Sequence, residues 1–136
     1  MTRAIFEAVK SDLTVFGSGA VNINTADSTV LQSLGLSSVL AGKIVGFRAG
    51  KDGVEGTGDD NVLTTVNNMV NVIGATVSLT QQETAQLTNM VVAGVFCVRS
   101  GRFMGIAQGQ SPGSGMTTQI TFVFNRHKEI LFWKEQ

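Results

Sequence analysis

The sequence predicts an α+β fold in which a helical region made of two hairpins is followed by a C-terminal antiparallel sheet. Two observations carry this reading. Up to about residue 92 the apolar residues recur at three- and four-residue spacing, and beyond Gly94 they alternate with period two. A third observation concerns the joints: sixteen glycines against one proline give a chain punctuated by tight turns rather than stiffened or left slack. The length of 136 residues suits one domain, or a small domain inserted in another, and a hydrophobic share of 43% is enough to build a core.

Residues 1–24 are expected to hold a helix and a β segment. Ile5, Phe6 and Val9 lie at helical spacing, and Leu13-Thr14-Val15-Phe16 then reads as a short strand closed by Gly17-Ser18-Gly19. The opening Met1-Thr2-Arg3-Ala4-Ile5-Phe6-Glu7 lacks the layout of a signal peptide, which points to the trimmed end of a longer precursor.

Residues 25–92 are expected to form the helical domain. Asn22, Asn24, Thr25 and Asp27 have side-chain oxygens able to cap a helix, so one should begin near Thr25. Val30, Leu31 and Leu34 share one face of that helix and Gly35 ends it. Leu40, Ile44 and Phe47 then mark a second helix, joined to the first by Leu34-Gly35-Leu36-Ser37. Val62, Leu63, Val66, Met69, Val70 and Ile73 resume helical spacing as far as Gly74, and Thr80-Gln81-Gln82-Glu83 carries the pattern of a capping box.

Residues 93–136 are expected to form a three-stranded antiparallel sheet. Its strands are read around residues 95–100, around Ile120, Phe122 and Phe124, and over Ile130-Leu131-Phe132-Trp133. Asn125-Arg126-His127-Lys128 joins the last two, and Gln110-Ser111-Pro112-Gly113-Ser114-Gly115 is the most flexible linker. Large residues on both sides of the last strand imply cover on both faces, from within the chain, from a partner subunit or from a preceding segment.

Ten basic and ten acidic residues balance, so the overall field gives nucleic acid no attraction. No apolar run approaches the roughly 18 residues of a membrane span. Cys97 is the single cysteine, which excludes an intrachain disulfide. Being a lone cysteine in a strand, it reads as a small hydrophobe rather than a nucleophile. His127, the single histidine, falls in a predicted turn, and no catalytic set assembles around either residue. The sequence therefore points away from an enzyme.

The most distinctive stretch is residues 50–61, with Asp52-Gly53-Val54-Glu55-Gly56-Thr57-Gly58-Asp59-Asp60 at its centre. Four carboxylates within nine positions repel one another, and a divalent cation relieves that repulsion while glycines let the backbone aim carbonyls inward. Hard oxygen donors favour calcium. The expected ligands are the side chains of Asp52, Glu55, Asp59 and Asp60 with the carbonyls of Val54 and Thr57. The order is not that of an EF-hand, and the competing reading is a solvated acidic turn.

A different class of function is a helix-hairpin-helix module that grips DNA through hairpin amides and nearby cations. Against it, Leu34 stands where a first glycine would be wanted, and the acidic loop follows Lys43 and Arg48 directly. A hydrolase using a metal in the acidic loop is a third reading, for which no acid or base can be named.

Val21-Asn22-Ile23-Asn24-Thr25-Ala26, Leu34-Gly35-Leu36, Ile44-Val45-Gly46-Phe47-Arg48 and the acidic loop, in that order, resemble the minor pseudopilin K family of bacterial type II secretion systems. Val98-Arg99-Ser100-Gly101-Arg102-Phe103 is similar to the strand that follows the helical domain in that family. Ile130-Leu131-Phe132-Trp133-Lys134-Glu135 is similar to its closing strand.

The resemblance implies a tandem helix-hairpin-helix (SAM-like) domain packed with a pilin-type sheet, and a non-catalytic assembly role at the tip of the pseudopilus. It also implies a calcium ion at Asp52, Glu55, Asp59 and Asp60, other minor pseudopilins as partners, no nucleic acid, and a periplasmic location. Attachment to the inner membrane would be through an N-terminal helix outside this sequence, and without that helix some of Phe122, Phe124, Phe132 and Trp133 are expected to be exposed or to take part in dimerisation. The hairpin at Leu34-Gly35-Leu36 is also similar to that of DNA-uptake proteins, whose modules are expected to be basic.

Overall fold

The computed structural model describes residues 2–9 and 14–136. They form α1 (Arg3–Val9), β1 (Val21–Asn22), α2 (Ser28–Ser33), α3 (Ser38–Arg48), α4 (Met69–Thr76), α5 (Gln81–Val92), β2 (Phe96–Cys97), β3 (Arg102–Gln110), β4 (Thr117–Asn125) and β5 (Ile130–Glu135). The fold is mixed α+β, with five helices and an antiparallel three-stranded sheet among the described residues. Two compact units emerge: residues 19–99, and residues 1–18 with 100–136.

The unit of residues 19–99 is held by a closed apolar core. Leu31 from α2, Leu40, Ala41, Ile44 and Phe47 from α3, Met69 and Ile73 from α4, and Leu87 from α5 are buried together with Ile23 and Phe96. Each helix contributes an apolar stripe and gives its polar face to water, as the spacing predicts. Sharp caps set the starts. Asp27 accepts from the Val30 amide at 2.8 Å and Ser37 from the Leu40 amide at 3.1 Å. Thr80 and Glu83 close the predicted capping box, with Thr80 N–H donating to Glu83 Oε2 at 2.7 Å and Glu83 N–H donating to Thr80 Oγ1 at 3.2 Å. Between α2 and α3, Gly35 takes the positive φ of 98° that ends the first helix.

Three expectations for this unit are corrected. The first helix starts at Ser28 rather than near Thr25, because the Thr25 and Ala26 amides both donate to the Asn22 carbonyl in a turn and Asp27 supplies the cap. Helical spacing from Val62 is misleading: the helix begins only at Met69 and runs past Gly74 to Thr76. The stretch before it is pinned by Asn24, whose side chain accepts from the Leu63 amide at 2.9 Å and donates to the Leu63 carbonyl at 2.8 Å. Finally, Phe96–Cys97 does not enter the three-stranded sheet. It pairs in parallel with Val21–Asn22 inside the helical unit, Val21 opposite Phe96 and Asn22 opposite Cys97. The burial of Phe96 in the helical core explains the choice. Residues 19–24 and 93–99 thereby join the helical unit.

The other unit is built on the sheet order β3-β4-β5. β3 and β4 pair over nine residues, from Arg102 opposite Asn125 to Gln110 opposite Thr117, so the first sheet strand lies later than the alternation at 95–100 suggests. Residues 111–116 are the hairpin between them, with the Ser111 amide donating to the Met116 carbonyl. β5 pairs with β4 with a register shift between Val123 and Phe124. Phe103 and Phe124 stack at 5.4 Å between ring centroids, Phe122 lies 6.0 Å from Phe124, and Trp133 lies 6.4 Å from Phe122. A Cβ on Gly105 would collide with the ring of Phe122, its cross-strand partner, so glycine is what lets that ring lie flat on β3. On the other face Phe16 meets Phe132 at 5.9 Å. Residues 14–16 form no strand, and Leu13 of the expected β segment lies outside the described residues. Every residue of β5 is exposed, Ile130 at 62% and Trp133 at 55%, so among the described residues this strand is not buried within the chain.

Candidate functional site

The acidic loop leaves the C-terminus of α3, and Arg48 fixes its root. Leu40, Ile44 and Arg48 stand at i, i+4 and i+8, so the apolar stripe of α3 carries the guanidinium inward, where it is 4% exposed. Its NH1 donates to the carbonyls of Ile23 at 2.9 Å and Ala26 at 2.6 Å. The Nε donates to Glu55 Oε1 at 2.8 Å, and the NH2 group meets the same oxygen. A planar, permanently charged fork suits this double duty, tying the β1–α2 turn and the loop to one helix end. The loop returns through Asn61, whose amide donates to the Arg48 carbonyl at 2.9 Å and whose side chain donates to the Phe47 carbonyl at 2.8 Å.

Inside the loop the carboxylates act as acceptors for backbone amides. Asp59 Oδ2 accepts from Lys51 N–H at 2.7 Å and from Asp52 N–H at 3.2 Å, while its Oδ1 accepts from the Thr57 hydroxyl at 2.7 Å. Asp52 Oδ1 accepts from Val54 N–H at 2.8 Å, and Asp60 Oδ2 from Gly56 N–H at 2.6 Å. The Thr57 hydroxyl also lies 3.2 Å from the Val54 carbonyl. The Thr57 hydroxyl and then the two amides hold the Asp59 carboxyl below its usual pKa range. Gly50 is required where it stands: its φ is 64°, and a Cβ there would come 2.5 Å from the Asp59 carbonyl oxygen.

All six predicted ligand positions therefore sit in one loop shaped by defined hydrogen bonds. Among the described residues no three His, Cys, Asp or Glu side chains gather closely enough to hold a metal ion as a group. Glu55 turns to Arg48. One atom stands apart: Asp60 Oδ1 is buried and has no hydrogen-bond partner. A carboxylate oxygen shielded from water without a partner is costly, and a hard cation is one way to satisfy it.

The cations nearest the α2–α3 hairpin are engaged. Lys43 Nζ bridges to Glu83 at 2.8 Å and donates to the Ser78 carbonyl at 2.8 Å, which with the Thr80 amide holds the Glu83 carboxyl below its usual range. A phosphate at this hairpin would have to displace those bonds. His127 is exposed in the β4–β5 turn, and the thiol of Cys97, half-buried in β2, lies 3.7 Å from the Ala20 carbonyl. Sequence reasoning missed the roles of Arg48 and Asn24. The first had a signal, a cation on an apolar helical stripe; the second had none, because its partner Leu63 lies 39 residues away. Comparison with protein-family models, curated proteins and solved structures finds no match.

Proposed function

We propose that this chain is the periplasmic part of a minor pseudopilin of class K, a non-catalytic assembly subunit of a type II secretion pseudopilus. In this reading the helical unit is a tandem helix-hairpin-helix domain and the sheet is of pilin type. The full-length protein is anchored in the inner membrane through an upstream apolar helix, and its partners are other minor pseudopilins. The observation that supports an assembly role is the exposure of the aliphatic and aromatic residues of β5, in a chain whose helical unit has a closed core of its own. Surfaces of this kind are where subunits meet.

Calcium is the proposed stabiliser of residues 50–61, with Asp59 and Asp60 as the main carboxylates, Asp52 and Glu55 contributing, and the Val54 and Thr57 carbonyls completing the set. The orphaned Asp60 Oδ1 supports it. The ion would supply charge neutralisation and no reaction chemistry.

A cation that binds only the folded chain raises its stability by mass action, by about 2.7 kcal/mol at a hundredfold excess over Kd. Thermal melting should therefore shift upward in millimolar calcium for the parent chain and not for Asp59→Ala with Asp60→Ala. An unchanged parent melting temperature removes the calcium. Mixing the chain with the other minor pseudopilins tests the assembly role: a stable complex by size exclusion, lost in Trp133→Asp, is expected, and failure to associate removes it.

A further inference from the structure

The two edges of the three-stranded sheet are built differently. β5 is six residues long, has a register shift against β4, and ends in Lys134 and Glu135. Irregular pairing and edge charges are how sheets resist a further strand. β3 has none of these protections. All nine of its residues pair with β4 without a shift, it contains no proline, and its one charge is Arg102 at the first position. Among the described residues nothing pairs with its outer side. Alternate residues of such a strand direct amide and carbonyl groups outward, ready for a ladder.

We propose that this edge pairs antiparallel with the β3 edge of a second copy of the chain, about a twofold axis through Ile106, to give one continuous six-stranded sheet. The register follows from symmetry. In a twofold antiparallel pair, opposed residues exchange roles and lie on the same face, so their numbers differ by an even count. Of the registers that satisfy this, only the one centred on Ile106 pairs all nine residues. It sets Arg102 opposite Gln110 of the second copy, so no like charges meet.

The same register sets Phe103 opposite Gly109, on both sides of the axis. That repeats an arrangement already present within the chain, where Phe122 lies over its cross-strand partner Gly105. An aromatic ring laid across a strand glycine covers backbone that the glycine leaves bare. On the opposite face Met104 and Ile106, 66% and 62% exposed, would be drawn into contact around the axis. The inference does not depend on the proposed secretion role.

Sedimentation equilibrium on the intact chain tests it. The mass should climb from 14.4 kDa toward twice that value as concentration rises. Ile106→Lys sets two ammonium groups opposite each other at the axis and should weaken the dimer by about fivefold or more, with circular dichroism showing that the variant is folded. Independently, Ile106→Cys should form a disulfide-linked dimer under mild oxidation, because the two Cβ atoms face each other, whereas Gln108→Cys and the parent with Cys97 should not. A chain that stays monomeric at all concentrations overturns the proposal, as does a dimer that Ile106→Lys leaves intact. Protection of the β3 amides from exchange only when a different protein is added overturns it in favour of a foreign strand.

Discussion

The helical and sheet units solve the problem of burying apolar surface in opposite ways. Of the fifteen buried apolar residues among those described, fourteen belong to residues 19–99 and only Val123 belongs to the sheet unit. The helical unit closes a core from four helices and the β1–β2 pair. The sheet unit instead displays Phe103, Met104, Ile106, Ile130, Phe132 and Trp133 on its surface. One unit buries its apolar residues in a core of its own, and the other leaves most of its large apolar residues exposed.

The largest expected effect that can break this contrast is in the helical core. Ile44→Ala removes a fully buried side chain from α3 and should cost about 4 kcal/mol in urea denaturation. A loss under 1 kcal/mol would mean that the core is not closed as described. Next comes Arg48→Met, which keeps much of the volume but leaves the Ile23 and Ala26 carbonyls without their donor. A cost of about 3 kcal/mol is expected. Glu55→Gln, on the half-exposed side of the same pair, should cost under about 1 kcal/mol by the same assay. Trp133→Ala in the sheet unit should cost less than about 1 kcal/mol in the isolated chain despite removing its largest side chain, because more than half of it remains in water.

The smallest effect concerns pH. The Asp59 and Glu83 carboxyls are held below their usual range in the folded chain. Groups of that kind contribute stability that is fully present above the unfolded carboxylate pKa and is lost as pH falls through the lower folded value. Stability should therefore decline below about pH 4. Thr57→Val removes the largest contribution at Asp59 and should raise its pKa toward the ordinary value, as read by NMR titration of the side-chain carboxyl. An unmoved titration would show that the Thr57 hydroxyl does not hold that carboxylate.

How far the fold was legible follows from where its information is stored. Local signals were sufficient for α3, α5 and the β4–β5 hairpin. Leu40, Ile44 and Phe47 at helical spacing, the Thr80 and Glu83 box, and the alternation around Phe122 each act within a few residues. The expectation failed where distant partners decide. Helical spacing from Val62 was overridden by the clamp from Asn24, and alternation at 95–100 did not reveal that Phe96 would leave the sheet for the helical core. The acidic loop was visible from its composition, yet the hydrogen bonds that shape it were not. Nothing in the order of Asp52, Glu55, Asp59 and Asp60 says that Glu55 turns to Arg48 or that Asp60 Oδ1 is buried without a partner.

Hydrogen exchange of the whole chain at low concentration, followed by mass spectrometry, tests the contrast between the units most directly. Amides of α3, α4 and α5 should exchange only through global opening of residues 19–99, while those of β3 and β5 exchange much faster through local opening. Equal protection of the sheet strands and the helices, with the chain monomeric, would contradict the account.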